Sequence, residues 1–316
     1  MIAAPVRTVF LGSGAFGLPA LEALLAARSV DLVAVVTAPP RPTGRGARIT
    51  PTVIDTAARE RDLAVLTPER LRVPEAIELV LAQRPELLVL ADYGRIVPAA
   101  LLDPQHGALN LHPSLLPRHR GATPIPAAIL AGDTETGVSL MRMDAGLDTG
   151  PLIAQTRVDL DGTEVSPELE TRLAGLGADL LSEHLEPWLA GAIDPRPQDE
   201  AAATLTRPFR REDGRLDPTR SAAELERQVR AQQPWPGTFI ETGAGRLAVL
   251  GAAVDDGGAG ANGRDAGAPG TFDAEGLWTG AGRLRLLQVQ PAGGRPMAWS
   301  DFLRGRPSII GSSIVA

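Results

Sequence analysis

Three polar side chains of types that can catalyse an acyl transfer lie between residues 108 and 150. Asn110 and His112 belong to "ALNLHPSLLPRHRG", and Asp148 lies at the end of "GVSLMRMDAGLDTG". An amide donor, an imidazole and a carboxylate can together hold a carbonyl group, stabilise the oxyanion formed on it and move one proton. We therefore predict that Asn110, His112 and Asp148 are catalytic residues.

The spacing of these residues predicts how they meet. Asn110 and His112 are two positions apart in a strand-like pattern, so their side chains point to the same face of a sheet. His112 is followed by Pro113, which favours an exposed strand end. Asp148 must approach from a separate element, although an aspartate in "GLDTG" can also simply cap a turn.

The first half of the chain alternates short apolar runs with helical segments of about ten residues, the pattern of βαβ units. Strands that are apolar along their whole length predict a mostly parallel sheet covered on both faces. Catalytic residues then collect at the carboxyl ends of the strands. Antiparallel strands are expected after "ALNLH", followed by an amphipathic helix over residues 166–189.

A change in composition after residue 189 predicts the domain organisation. Residues 190–207 lose apolar periodicity and gain proline, acidic residues and alanine, which is typical of an interdomain linker. Beyond it, Ser221 and Glu224 form a capping box that opens one helix, and short strands suggest a small β-barrel. We expect an α/β catalytic domain over 1–189, the linker, and a β-barrel domain over 208–316.

Composition excludes several classes of chemistry. With no cysteine and no lysine in the 316 residues, thiol nucleophiles, disulfides, cysteine-bound zinc, Schiff bases and a P-loop lysine are all absent. No apolar run approaches the ~20 residues of a membrane helix, so no membrane anchor is expected. We expect the protein to be a cytoplasmic monomer. His106, His112 and His119 have spacings that match no common ligand pattern, and no metal is expected.

The distribution of charged residues raises two further possibilities. Net charge is −9 over residues 1–204 (17 Arg, 26 acids) and +2 over 205–316 (14 Arg, 12 acids), so a basic C-terminal face could meet phosphates. In "APPRPTGRGARITP", Arg41, Arg45 and Arg48 occupy a loop that could order on RNA or could simply connect two elements.

The loop "GSGAFG" has the glycine spacing of a dinucleotide-binding fingerprint, with Gly12, Gly14 and Gly17 between a strand and a helix. The fingerprint also expects an acidic residue at the end of the second strand, where this chain has "VVTAPP". A tight turn that requires glycine therefore accounts better for the loop.

Several motifs together resemble the methionyl-tRNA formyltransferases, in the order of that family and over nearly the whole chain. They are "RPTGRGARITP", "LNLHPSLLPRHRGATPI", "AGDTETGVSLMRMDAGLDTGP", "DGRLD", "QPWPGTF" and "SDFLRG". The resemblance implies a Rossmann-like formyltransferase domain, a linker and an OB-like β-barrel that binds tRNA. It also implies transfer of a formyl group from 10-formyltetrahydrofolate to initiator methionyl-tRNA for translation initiation.

The resemblance also implies roles for individual residues. Asn110, His112 and Asp148 match the family's catalytic set. The loop from Arg41 to Arg48 matches the segment that reaches the tRNA acceptor stem, and Arg45 matches the loop arginine most closely tied to recognition of that stem. The expected folate-binding residues are Tyr93, Gly94, Arg95, Ile96, Ser114, Leu115, Leu116, Pro117 and Asp144. Ala47 and Arg48 stand where the family loop continues with lysines, so one positive charge is absent.

Three alternatives remain at this point. The chain could transfer a formyl group to a small amine such as a sugar nucleotide or a ribonucleotide. It could instead be a Rossmann protein that binds a nicotinamide cofactor, or a noncatalytic RNA-binding module.

Overall fold

The computed structural model describes residues 4–43, 47–255 and 267–315. Its strands are β1 (Val6–Leu11), β2 (Val30–Val36), β3 (Arg41–Thr43), β4 (Arg48–Thr50), β5 (Val65–Leu66), β6 (Leu87–Ala91), β7 (Ala108–His112), β8 (Arg120–Gly121), β9 (Glu135–Arg142), β10 (Leu152–Asp159), β11 (Leu205–Thr206), β12 (Thr238–Thr242), β13 (Gly245–Asp255), β14 (Gly276–Trp278), β15 (Arg283–Pro291) and β16 (Met297–Ala298). Its α-helices are α1 (Gly17–Ala26), α2 (Val53–Arg59), α3 (Pro74–Leu81), α4 (Pro124–Ala131), α5 (Ser166–Leu189), α6 (Ala222–Ala231) and α7 (Trp299–Gly305). Short 3₁₀ turns occupy Ala99–Leu101, Glu200–Ala202, Arg211–Gly214 and Pro307–Ile309.

The first half of the chain forms a seven-stranded sheet in the order β10-β9-β7-β6-β1-β2-β5. The five strands from β7 to β5 in that order pair in parallel, and β9 and β10 add two antiparallel strands at one edge. Val9, Phe10 and Leu11 of β1 are fully buried, as expected for a central strand covered on both faces.

The chain divides into two compact units. The first comprises Met1–Pro124, Glu135–Leu160 and Glu168–Arg207, and the second comprises Ile125–Thr134, Asp161–Pro167 and Pro208–Ala316. Residues 190–207, predicted to be a linker, therefore belong to the first unit up to Arg207. There β11 pairs in parallel with β8.

The second unit is built around antiparallel strands in the order β12-β13-β15-β14, with β16 also paired to β15. Leu225 and Val229 of α6 pack with Val249, Leu284 and Val289 of the sheet in one buried apolar cluster. Ser221 and Glu224 form the expected capping box at the start of α6. The predicted fold class, an α/β domain followed by a domain of antiparallel strands, is confirmed.

The arginine-rich segment differs from the irregular loop expected from its sequence, because β3 and β4 pair as an antiparallel hairpin. All three residues of β4 are exposed. The described side chains of the hairpin, at positions 41, 42 and 48–50, are exposed. Exposed strands need no alternation of apolar and polar residues, so the sequence carries no periodic signal for them. Arg45 lies outside the described residues.

Among the described residues, no helix combines the length and the apolar character needed to cross a membrane.

Candidate active site

The three residues predicted to be catalytic lie together on one face of the central sheet. Asn110 and His112 project from β7, two positions apart, and their side chains meet the carboxylate of Asp148. The Nδ2 atom of Asn110 lies 3.4 Å from Oδ1 of Asp148, and Nδ1 of His112 lies 3.7 Å from Oδ2. Residues distant in the sequence thus surround a single carboxylate.

Asp148 is placed by the antiparallel edge of the sheet. In the β7–β9 register, Leu109 pairs with Arg142 and His112 pairs with Ser139, so β9 ends beside the start of β7. The following loop leaves there, with the Met143 amide donating to the Ala108 carbonyl at 2.7 Å. It then returns towards Asn110 and His112. Asp148 therefore follows the antiparallel strand β9, in agreement with the antiparallel strands predicted after "ALNLH".

A main-chain donor fixes the carboxylate of Asp148. The Gly121 N–H donates to Oδ2 of Asp148 at 2.8 Å. A Cβ added at Gly121 would lie 2.4 Å from the Thr206 carbonyl oxygen, and Gly121 has a φ of +107°, so this position requires glycine. Asp148 itself has a φ of +53°, a left-handed conformation that aspartate tolerates better than most residues.

The contacts of His112 determine its proton arrangement. Its Nε2 atom lies 2.9 Å from the carbonyl oxygen of His119. Because a carbonyl can only accept, Nε2 carries a hydrogen, and Nδ1 is left to face Asp148. A proton arriving on Nδ1 would lie between the imidazole and the carboxylate, which suits a group that accepts a proton during a reaction.

Asn110 and His112 are each only 5% exposed. The expectation of an exposed strand end at His112 is therefore wrong in its degree of exposure, since the loops around residues 119–121 and 148 cover the end of β7. Asn110 Nδ2 carries two hydrogens. One points to Asp148, and the other is free for a carbonyl oxygen of a substrate in this partly dry environment, where such a bond is strengthened.

Gln198 and Arg120, which the sequence did not single out, also contribute to the site. The side-chain amide of Gln198 donates to the main-chain carbonyls of Asp148 and Gly150 at 2.8 and 2.7 Å. Arg120 is 3% exposed and donates to Oε1 of Gln198 and to the carboxylate of Glu200. Hydrogen bonding to Glu200 raises the pKa of Arg120. Gln198 lies in a segment without periodicity, and no sequence pattern signals its contacts.

Comparison with known proteins identifies the family. A family model described as formyl transferase matches residues 6–185, and a model described as formyl transferase, C-terminal domain, matches residues 208–307. The methionyl-tRNA formyltransferase of Chloroflexus aurantiacus is 44% identical over 307 residues, which covers 95% of this chain and 97% of the relative. The chain belongs to the methionyl-tRNA formyltransferase family.

Solved structures share the fold of this family member. The methionyl-tRNA formyltransferase of Clostridium thermocellum superposes with a TM-score of 0.52 and 16% identity, covering 80% of this chain and 95% of that one. HypX from Aquifex aeolicus, solved in complex with tetrahydrofolic acid, superposes with a TM-score of 0.59 and 17% identity. That match covers 94% of this chain, which spans about half the length of HypX (47%).

The residues predicted from the family resemblance to bind folate are distributed unevenly between surface and interior. Ile96 is 78% exposed, whereas Tyr93 is 2% exposed and packs in a core cluster with Leu71 and Leu101. The ring of Tyr93 is thus part of the core. Its carbonyl oxygen accepts from the Ser13 hydroxyl at 3.2 Å. Gly94 has a φ of +70°.

The remaining predicted folate residues are held by hydrogen bonds. Arg95 Nη1 donates to the carbonyl oxygens of Pro68 and Glu69, and Ser114 Oγ donates to the Arg118 carbonyl. Asp144 is exposed, and its Oδ1 accepts from Gly146 and Thr149 within its own loop.

Leu115, Leu116 and Pro117 follow Ser114 directly, so they continue the chain from strand β7. Leu115 and Pro117 are half-buried and Leu116 is buried. The Leu116 amide donates to Ser139 Oγ at 3.0 Å, which ties this segment to β9.

The glycine loop after β1 is shaped by close packing. A Cβ at Gly12 or Gly17 would approach the Ala91 carbonyl oxygen to 2.9 or 2.8 Å, and a Cβ at Gly14 would lie 1.6 Å from Oδ2 of Asp92. Desolvation by the surrounding protein and, secondarily, the charge of Glu170 raise the pKa of Asp92 to about 6, although the residue as a whole is exposed. The glycines are therefore explained by tight turns.

Of the predicted tRNA-binding arginines, Arg41 and Arg48 lie on the exposed β3–β4 hairpin, and Arg45 lies outside the described residues. Within the described ranges, no group of three or more His, Asp or Glu residues is arranged to hold a metal ion.

Proposed function

We propose that this methionyl-tRNA formyltransferase family member transfers the formyl group of 10-formyltetrahydrofolate to the α-amino group of methionine on initiator methionyl-tRNA. The product is the N-formylmethionyl-tRNA used in translation initiation. The observation that carries the proposal is the convergence of Asn110, His112 and Asp148 in a chain of this family. In this proposal the enzyme works as a cytoplasmic monomer without a metal.

The proposed chemistry needs a positioned site more than a strong base. A free α-amino group already titrates near 7.7 to 8, and its esterified form is a weaker base, so much of it is neutral at cellular pH. Its nitrogen attacks the formyl carbon, and the folate nitrogen leaves with the bonding electron pair. One proton moves from the attacking amine to the leaving nitrogen, so no covalent enzyme intermediate is required.

The chain's own residues divide this work. Asn110 Nδ2 donates to the oxygen that becomes negative as the amine adds. The imidazole of His112 has its Nε2–H bonded to the His119 carbonyl, so it acts through Nδ1, which accepts the proton that the amine loses. Asp148 stabilises a protonated His112 across the 3.7 Å gap and relays the proton, directly or through one water. Charge stabilisation of this kind is worth about 3 to 4 kcal/mol for each oxyanion donor in hydrolases.

The binding assignments are part of the proposal. The folate lies against residues 93–96, 114–117 and Asp144, with Tyr93 contributing main-chain atoms because its ring is buried. Arg41 and Arg48 contact the acceptor stem through phosphates, whereas Arg45 contributes to distinguishing the acceptor stem of the initiator tRNA from other acceptor stems. Exposed arginines on a short hairpin suit a backbone that is read by charge and shape.

The nicotinamide alternative is disfavoured by Asp92. Dinucleotide phosphates bind at a glycine loop and helix N-terminus because main-chain N–H groups attract negative charge there. In this chain a carboxylate occupies the space over Gly14, where it would repel a phosphate.

One experiment separates the alternatives. The protein is incubated with 10-formyltetrahydrofolate and charged initiator methionyl-tRNA, and parallel reactions contain glycinamide ribonucleotide or NADH. We expect formylation of methionyl-tRNA only, measured as acid-stable formylmethionine after release from the tRNA. Equal formylation of glycinamide ribonucleotide would contradict the acceptor, and tight binding of NADH with no formyl transfer would contradict the reaction class.

A further inference from the structure

We propose that Gln198 is a positioning residue for this reaction, acting through Asp148, and that residues 196–206 form a strap that holds the Asp148 loop in place. The inference rests on the proposed function for its kinetic consequence. Its structural part concerns contacts within the first unit alone. The strap falls in the region whose composition predicted a linker.

Gln198 binds the main chain at the end of the loop that carries Asp148. Its Nε2 atom donates to the carbonyl of Asp148 at 2.8 Å and to the carbonyl of Gly150 at 2.7 Å. A primary amide has two N–H groups, and both are used. The main chain at Asp148 is therefore held from one side by Gln198, while its carboxylate is held from the other side by the Gly121 N–H.

Arg120 determines which way the Gln198 amide faces. Its Nε and Nη2 atoms donate to Oε1 of Gln198 at 3.1 and 2.8 Å. Because guanidinium groups only donate, the amide oxygen must face Arg120 and the amide nitrogen must face the two carbonyls. Arg120 is in turn held by Glu200, through a bidentate pair at 2.9 and 2.6 Å.

The strap is fastened at both ends, so Gln198 is presented from a fixed backbone. At one end Arg196 exchanges two main-chain hydrogen bonds with Leu152, at 2.7 and 2.8 Å. At the other end β11 pairs with β8, and Thr206 Oγ1 donates to the Arg120 carbonyl at 3.0 Å. Arg120 thus contacts the strap at Gln198 and Thr206. The next residue, Gly121, binds the carboxylate of Asp148.

This arrangement affects catalysis because Asp148 holds a left-handed backbone, with a φ of +53°. A loop in a less favoured conformation relaxes when its partners are removed. Relaxation would move the carboxylate away from Asn110 and His112, and a displacement of about 1 Å in a catalytic group can cost roughly 100-fold in rate. Gln198 is the only side chain described here that binds the main-chain carbonyls of both Asp148 and Gly150.

The test compares Gln198→Ala and Gln198→Glu with Asp199→Asn. Asp199 is the neighbouring residue, and it accepts from the Ala201 amide at 3.0 Å, a contact that asparagine can keep. We expect both Gln198 variants to lower kcat by roughly 10- to 100-fold, with KM for methionyl-tRNA changed by less than about twofold. Asp199→Asn keeps the wild-type kcat.

Gln198→Glu distinguishes positioning from space filling. Glutamate has the volume of glutamine and keeps an oxygen for Arg120, but it puts an acceptor against two carbonyl oxygens. We therefore expect it to be at least as slow as Gln198→Ala. Activity closer to wild type than that of the alanine variant would overturn the proposal, because it would show that occupied volume alone matters.

A double-mutant cycle tests whether Gln198 acts through Asp148. In an Asp148→Ala background, Gln198→Ala should lower kcat by no more than about twofold, because residues that act as a unit are not additive. A full, additive loss in the double variant would refute action through Asp148.

Hydrogen exchange supplies a readout that does not require turnover. The Gly121 amide is bonded to the carboxylate of Asp148, so releasing the loop should expose it. We expect faster exchange in a peptide containing Gly121 for Gln198→Ala than for Asp199→Asn. Unchanged exchange would overturn the proposal even if the wild type proved inactive in the formylation assay, whereas inactivity alone would count only against the proposed function.

Discussion

Replacing Asn110 with alanine tests the proposed oxyanion donor most directly. Asn110 lies on β7 with one amide hydrogen directed to Asp148 at 3.4 Å, a long hydrogen bond that contributes little to stability. The residue is buried and central to the site. Its removal should therefore affect the reaction far more than it affects folding.

The expected size follows from the role. Losing one donor to a developing oxyanion costs about 2.7 to 4 kcal/mol in activation free energy, which corresponds to roughly 100- to 1,000-fold in kcat. Truncation also removes one polar side chain and leaves a small cavity, for which we expect about 1 kcal/mol of stability. The change in activation energy therefore exceeds the change in unfolding energy by about twofold or more.

The assay is steady-state formylation with both substrates varied, paired with chemical unfolding. Leu109→Val is the matched control, because Leu109 is the adjacent residue on the opposite face of β7 and is fully buried. It should lose about 1 kcal/mol of stability and retain kcat. A turnover number for Asn110→Ala within about threefold of wild type would remove Asn110 from the mechanism.

Three further predictions concern other parts of the chain. Asp92→Asn should raise the melting temperature at pH 7.5 and leave it unchanged near pH 4. Desolvation of the carboxyl raises the folded-state pKa of Asp92 to about 6, so the favourable contribution of Asp92 is complete below its unfolded pKa and is lost as the pH rises through 6. Thermal melts across pH 4–8 measure this, and a constant difference between variant and wild type would contradict it. Ser221→Ala should cost about 1 kcal/mol of unfolding free energy, because Ser221 Oγ accepts from the Glu224 amide at the start of α6; denaturant titration showing no loss would mean that the cap is dispensable. Arg45→Ala should reduce the preference for initiator over elongator methionyl-tRNA with little change in kcat, as measured by kcat/KM on both tRNAs, and an unaltered ratio would show that the loop takes no part in selection.

Much of the fold could be predicted from the sequence, because its elements follow local rules. Apolar strands without alternation indicated the parallel sheet, and the leucine spacing indicated α5 at the bounds the structure shows, Ser166–Leu189. Ser221 and Glu224 indicated the start of α6. Each of these signals depends on residues within a few positions of one another, so no long-range information was needed.

The candidate site was only partly predictable. Two residues on one strand face could be inferred from their spacing, and Asp148 could be selected by residue type. The burial of His112 could not, because it depends on main-chain segments that fold over the strand from residues 119–121. The position of the Asp92 carboxylate over Gly14 could not be inferred either, since 78 positions separate the two residues in the sequence.

The composition of residues 190–207 predicted a linker for a physical reason. The same reason explains why the attachment of the strap to the first unit could not be predicted. Sequence periodicity reports apolar side chains that enter a core, whereas the strap is attached by main-chain pairing with β8 and by hydrogen bonds of Gln198 and Arg196. Hydrogen bonding of this kind places no constraint on the hydropathy of neighbouring positions. A polar, proline-rich segment can therefore be firmly held.

The position of Asp148 consequently depends on contacts that are all distant in the sequence. Its partners Gly121, Asn110 and Gln198 lie 27, 38 and 50 positions away, so the carboxylate is placed only after β7, β8 and the strap have come together. Local propensity contributes little, because the left-handed backbone at Asp148 is not one that a short peptide favours. It follows that substitution of Gln198, the strap side chain that holds the Asp148 loop, should impair catalysis before it impairs global folding, since the sheet's apolar core does not depend on it.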